Sequence, residues 1–228
     1  MDEPFRLILL PGVGADARLF EPQREAFPHL RVPDWLPPEP KESLPHYAAR
    51  MAEVIAPLSE GDGPVVLGGV SFGGMVAYEA ARRLRPAVVV QIASCRSRRA
   101  VRSLLRATRP VAPAMLPGTL RVAKMLSPLA LELLTNLKTR QRNSFVAMFK
   151  EADPAFMKWA LTTILHWEPS PPPGVPVRQI HGRRDLLIPV SKVEADAVVP
   201  GGGHLINMTH PAEVNAFIRK ALDGQAAP

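Results

Sequence analysis

A chain of 228 residues, 46% hydrophobic and with a single cysteine, is long enough for one domain with a full-sized core and excludes an internal disulfide. Its net charge of +7 is unevenly placed: eleven Lys or Arg against one acid, Glu132, lie between Arg96 and Arg142, while the remainder carries 17 basic and 20 acidic residues. No run approaches the roughly 18 to 20 apolar residues needed to span a bilayer, and the acidic start, Met1-Asp2-Glu3-Pro4, lacks the basic region of a secretory signal, so the expected location is cytoplasmic.

Arg6 to Leu10 is a continuous apolar run, the pattern of a strand buried on both faces of a parallel sheet. It ends in the tight turn Pro11-Gly12-Val13-Gly14, after which Asp16 is placed to cap a short helix reaching about Ala26. A second short strand is expected at Leu30 to Val32, followed by a proline-rich loop from Pro33 to Pro40. Ser43 caps a helix with Tyr47, Met51, Val54, Ile55 and Leu58 on one face. Val65 begins the next strand, a helix runs to Leu84, and Ala87 to Ala93 supplies another strand.

From Arg96 to Trp167 the pattern is helical, broken by Pro110, Pro113, Pro117, Pro128 and Pro154, with no strand. The proline-rich stretch from Pro169 to Gly174 leads back to a strand at Val175 to Ile180. A helix is expected near Val190, a last short strand within Glu194 to Val199, and a closing helix from Pro211 to Leu222. This rhythm predicts an α/β fold, a mostly parallel sheet of about six strands with helices on both faces. The core is expected at residues 1–95 and 170–228, with an insertion at 96–169.

The stretch around which these elements are organised is Pro64 to Leu84, strand, sharp turn and helix. Its turn, Gly69-Val70-Ser71-Phe72-Gly73, fits G-x-S-x-G, in which the serine hydroxyl stands at the tip and the glycines avoid collision with the neighbouring strand and helix. Phosphate-binding patterns fit poorly, because no Lys-Ser or Lys-Thr pair follows the glycines and G-x-G-x-x-G is not formed. Ser71 is the candidate nucleophile. A serine needs a base, and the base needs an acceptor that fixes its tautomer. Of six histidines, His204 follows a glycine-rich loop after the final strand, at the sheet edge where active-site residues gather. The acid should lie between serine and histidine, and Asp185, just beyond the strand that ends near Ile180, is the candidate. Oxyanion donors are expected from the backbone N–H groups of Phe72 and Val13. No His, Cys, Asp and Glu cluster shows metal-ligand spacing, so no metal is invoked.

With these residues in hand, the chain resembles the α/β-hydrolase superfamily over nearly all of its length outside the insertion. GVSFGG matches the nucleophile elbow, HGRRD resembles the H-G-x-x-D acid strand, and GGGH resembles the histidine loop. The order Ser71, Asp185, His204 is also the family's. The resemblance implies an α/β-hydrolase fold in which the first two of the usual eight strands are missing and residues 96–169 form a helical cap. It also implies hydrolysis of an ester or thioester through an acyl-enzyme on Ser71, with His204 as base then acid and no cofactor. One departure is that the oxyanion loop often begins His-Gly, whereas here it reads Pro11-Gly12. The elbow sequence is similar to those of small carboxylesterases and of thioesterases that work beside acyl carrier proteins. A carboxylesterase ranks first because it needs no further partner, a thioesterase second, and a non-catalytic ligand-binding protein on the same scaffold third. The basic insertion reads as a solvated helical face, or as a dock for an acidic carrier protein, an anionic substrate or an anionic membrane surface. Nucleic acid is set aside, since no aromatic series is interleaved with the basic residues.

Overall fold

Five apolar runs become five parallel strands: β1 (Arg6–Leu10), β2 (Val65–Val70), β3 (Val88–Ile92), β4 (Val177–Gly182) and β5 (Ala197–Val199), hydrogen-bonded in that order. They belong to a computed structural model that describes residues 5–101, 137 and 139–223. Alternate side chains leave opposite faces, so runs without polar positions require cover on both. Ile8, Leu10, Leu67 and Val89 pack on one side against α2 (Leu44–Ile55) and α3 (Phe72–Leu84). Leu7, Leu9, Val66, Val88 and Val90 pack on the other, with Phe20 and Phe27 flanking α1 (Glu21–Ala26) and with Val214 and Ile218 of the closing helix Pro211–Arg219.

Local chemistry fixes the element ends. Asp16 accepts the Arg18 N–H at 2.9 Å and opens a 3-10 turn, Ala17–Phe20, ahead of α1. Ser43 caps α2, with Pro45 in its first turn. Arg85, left-handed at φ 46°, ends α3 just before Pro86. Among the described residues the sheet has five strands, where about six were expected. Leu30 to Val32 shrinks to one parallel bridge, Arg31 to Ile8, on the free edge of β1. Pro33 follows at once and supplies no N–H, so the pairing cannot propagate. The acid strand runs two residues further than expected, to Gly182, and the helix near Val190 is a single 3-10 turn, Val190–Lys192.

Between β3 and β4 the described residues contribute α4 (Thr139–Glu151) and α5 (Pro154–His166). Residues 102–136 and 138 lie outside the described part, and with them Arg102, Arg106, Arg109, Arg121, Lys124 and Lys138 of the basic run. Helix α4 lies across the turn after β1: the Phe149 ring stands where a Cβ on Gly14 would fall, and Glu151 pairs with Arg18 at 2.5 Å. Helix α5, opened by the Asp153 side chain and Pro154, buries Phe156 and Met157 and donates Trp159 Nε1–H and Thr163 Oγ1–H to the Glu42 carbonyl, at 2.9 and 3.3 Å. The two ends of the excursion are tied together: Arg98, just after β3, donates to the His166 carbonyl and pairs with Glu168 at 2.7 Å. The last two helices are α6 (Ile206–Thr209) and α7 (Pro211–Arg219). No helix among the described residues is long and apolar enough to cross a membrane.

Candidate active site

Ser71 sits between β2 and α3 at φ 53°, ψ −117°, a conformation that costs about 1–3 kcal/mol and persists only when its surroundings dictate it. Here they do. The Ser71 N–H donates to the Ile92 carbonyl at 3.0 Å, and the Ser71 carbonyl accepts from Gly74, Met75 and the Ser94 hydroxyl, the last at 2.7 Å. Gly73 carries the tightest contact of the elbow: a Cβ there would fall on the Leu10 and Pro11 carbonyl oxygens. Its bare Cα is what lets the N-terminus of α3 press against the end of β1, bringing the Phe72 amide and the Val13 turn to one place.

That turn is closed by an Ala15 N–H donated to the Gly12 carbonyl at 3.2 Å, with Gly14 at φ 76°. Val13 and Gly14 are its central residues, so their N–H groups lie outside the closing bond. The apolar side of the site is aromatic. The Phe72 ring packs at 5.6 Å from Trp35, 5.9 Å from Trp159 and 6.1 Å from Phe156.

Asp185 and His204 are joined directly. His204 Nδ1 lies 2.7 Å from Asp185 Oδ2, while Asp185 Oδ1 accepts the N–H groups of Leu187 and Ile188 at 2.8 and 2.9 Å. The loops that carry them are laced together, since Arg183 N–H donates to the Val199 carbonyl and Arg184 N–H to the Gly202 carbonyl. Burial alone would raise the Asp185 carboxyl. The charge of His204 and hydrogen bonds from His181, His204 and Ile188 outweigh that and hold it well below the usual carboxylate range.

Ser71, Asp185 and His204 follow β2, β4 and β5, so all three stand at the C-terminal edge of one parallel sheet. Asp185 and His204 are brought into contact; no hydrogen bond joins the Ser71 hydroxyl to His204 among the described residues. A second polar layer behind them escaped the sequence reading. Gln91 and Gln179 are register partners on β3 and β4, both fully buried, and Gln179 Nε2 donates to the Ser94 carbonyl at 2.8 Å and approaches His181 Nδ1 at 3.3 Å. The signal was a glutamine in the middle of each of two apolar runs, where a polar side chain must find buried partners.

Among the described residues one group has donors close enough to hold a cation, Glu39, Glu42 and His46 at the start of α2. Arg50 already pairs with both carboxylates there, at 3.4 and 3.0 Å, and His46 with Glu42 at 2.8 Å.

A sequence profile of the alpha/beta hydrolase family matches residues 7–217. The chain belongs to that family. The fold of this alpha/beta hydrolase is shared by a lipase-esterase related protein from Clostridium acetobutylicum, 15% identical at TM-score 0.72, covering 96% of this chain and 95% of the other. It is shared too by an enol-lactonase from Burkholderia xenovorans, 15% identical at 0.71 over 97% and 92%, and by an esterase from Exiguobacterium antarcticum, 13% identical at 0.69 over 98% and 94%. At such identities the likeness is one of fold. No curated protein sequence matches the chain.

Proposed function

We propose that this protein is a serine hydrolase that cleaves a carboxylic ester through an acyl-enzyme, with Ser71 as nucleophile, His204 as general base and then acid, and Asp185 as its orienting partner. The observation that carries the reading is the 2.7 Å contact between Asp185 Oδ2 and His204 Nδ1 at the same sheet edge as a serine held at φ 53°. An imidazole whose Nδ1 is bound to a carboxylate presents its Nε2 lone pair outward. In the proposed reaction Ser71 Oγ attacks the ester carbon and its proton passes to His204 Nε2. The oxyanion accepts the N–H groups of Phe72 and Val13, each worth about 3–4 kcal/mol in the transition state. Collapse expels the alcohol, which takes the proton from His204. Water then attacks the acyl carbon, giving a proton to His204, and the second collapse returns it to Ser71. These steps need no cofactor. Residues 96–169 act as the cap, and its aromatic side chains border the acyl site.

A thioesterase acting on acyl-carrier-protein or coenzyme A thioesters is the second reading. It is supported by a cavity of about 500 Å³ lined by Ser97, Arg98, Arg99, Ala100 and Lys192, three of them cationic. An acidic carrier protein or a phosphate-bearing leaving group suits that lining.

The test is a burst assay with p-nitrophenyl esters of several chain lengths on wild type, Ser71→Ala and His204→Ala, with fluorophosphonate labelling alongside. Nitrophenol release and labelling that both substitutions abolish support the acyl-enzyme. A wild type inert to esters, thioesters and fluorophosphonate overturns it in favour of a ligand-binding protein. A rate on carrier-bound or coenzyme A substrates that falls with salt, beside salt-insensitive rates on neutral esters, selects the thioesterase.

A further inference from the structure

His181 of the HGRRD segment takes no part in the steps above, yet it lies directly behind Asp185 with no exposed surface. Its Nε2 is 2.7 Å from the Ile188 carbonyl and 3.2 Å from Asp185 Oδ2. A carbonyl only accepts, so Nε2 carries the hydrogen. Its Nδ1 is 3.3 Å from Gln179 Nε2, an amide nitrogen identified as such because it also donates to the Ser94 carbonyl. Nδ1 is therefore the acceptor, and both ring positions of His181 are assigned by its partners.

We propose that His181 is a positioning residue for the acid–base pair: its Nε2–H, shared between Asp185 Oδ2 and the Ile188 carbonyl, fixes the carboxylate oxygen that receives His204 Nδ1. The proposal deepens the serine hydrolase reading and rests on it. Asp185 Oδ1 is pinned by two backbone N–H groups, so without His181 only His204 itself would hold Oδ2. The same shared donor takes up part of the carboxylate charge, which moderates its pull on a protonated His204. The layer continues to the nucleophile: Gln179 binds the Ser94 carbonyl, and the Ser94 hydroxyl binds the Ser71 carbonyl. The other titratable groups around the pair are Cys95, whose thiol burial and the Asp185 charge push up to about 12, and His210, whose ring borders Gly201 of the histidine loop. Arg183 and Arg184 are exposed.

The experiment compares pH profiles of kcat/KM for wild type, His181→Phe and His181→Gln on a p-nitrophenyl ester, with the melting temperature of each. Phenylalanine keeps the ring and removes the donor; glutamine can return an N–H near the Nε2 position. The expected result for His181→Phe is a kcat about 10- to 100-fold lower at nearly unchanged KM, with the acid limb moved about half a pH unit upward. His181→Gln stays within a few-fold of wild type. Equal kcat and equal limbs in the two variants, whatever their melting temperatures, overturn the proposal and leave His181 as core filling. Should His181→Phe not fold, 15N-labelled histidine in the wild type decides: an Nε2–H tautomer for His181 upholds the assignment, and an Nδ1–H tautomer overturns it. Activity that survives His204→Ala defeats the triad reading itself, an outcome distinct from either.

Discussion

The sheet edge and the excursion between β3 and β4 are held by different forces. At the edge, polar atoms decide geometry: Asp185 alone collects the N–H groups of Leu187, Ile188, His181 and His204, and the Ser71 carbonyl accepts three donors. Helices α4 and α5 meet the core through rings, Phe149 over Gly14 and Phe156 and Trp159 against Phe72, with polar contacts at their margins, among them Arg18 to Glu151, Gln141 to the Met208 carbonyl and Trp159 to the Glu42 carbonyl. Hydrogen bonds specify positions to fractions of an ångström, whereas apolar packing tolerates exchange of shape at similar volume. In the proposed function, the contrast assigns the reaction to the rigid part and the choice of acyl group to the adaptable part.

The sharpest way to break that contrast is Ser71→Ala. It should lower kcat/KM by about four orders of magnitude while the melting temperature scarcely moves, measured by ester turnover and calorimetry. Asp185→Asn should lose about three to four orders in kcat and also about 3 kcal/mol of stability at neutral pH, because a carboxamide NH₂ then faces two histidine N–H donors. The sign with pH follows from the depressed carboxyl. Its stabilisation is complete above the usual 3.8 and is lost as pH falls through the lower folded value, so denaturation curves of wild type and variant should converge in acid. Trp159→Ala tests the other region: stability falls by about 3 kcal/mol and the ester chain-length optimum shifts, while fluorophosphonate still labels Ser71 below the melting temperature. The smallest effect belongs to Glu79, buried in α3, where burial raises the carboxyl despite bonds from Trp167 and Ser170. Its folded value lies above the unfolded one, so wild-type stability declines as pH rises through it. Glu79→Gln should be more stable by a few tenths of a kcal/mol to about 1 kcal/mol at pH 8, the gain vanishing near pH 4.

The regions also differ in how plainly the sequence announces them. The elbow was legible because its requirements are local: a left-handed serine between glycines admits few alternatives, and Asp185 and His204 stand at strand ends that hydrophobic runs reveal. Leu30-Arg31-Val32 reads as a short strand but forms a single bridge, because two apolar residues do not tell how far pairing extends and Pro33 stops it at once. The partners of His181 were invisible for another reason. Which side chains on β3 a β4 histidine meets depends on the register between the strands, and the Gln91–Gln179 pairing joins residues 88 apart in sequence. The side chains around Phe72 come from the proline-rich loop, α2 and α5, and apart from the helical spacing of Phe156 and Trp159 no spacing rule links them with Trp35 and Tyr47.

Arg98 clasps the His166 carbonyl and the Glu168 carboxylate, so the chain leaving β3 and the chain returning to β4 meet before either has travelled far. An excursion whose feet are joined behaves as a closed loop, and the entropy of closing a loop grows only with the logarithm of its length, about 0.6 kcal/mol per doubling. Added length within the excursion therefore costs the sheet little, while α4 and α5, which pack on the core, remain tied to it. The stretch between the clasp and α4 is thus where the chain tolerates a change of length at least entropic penalty, with the clasp as its socket.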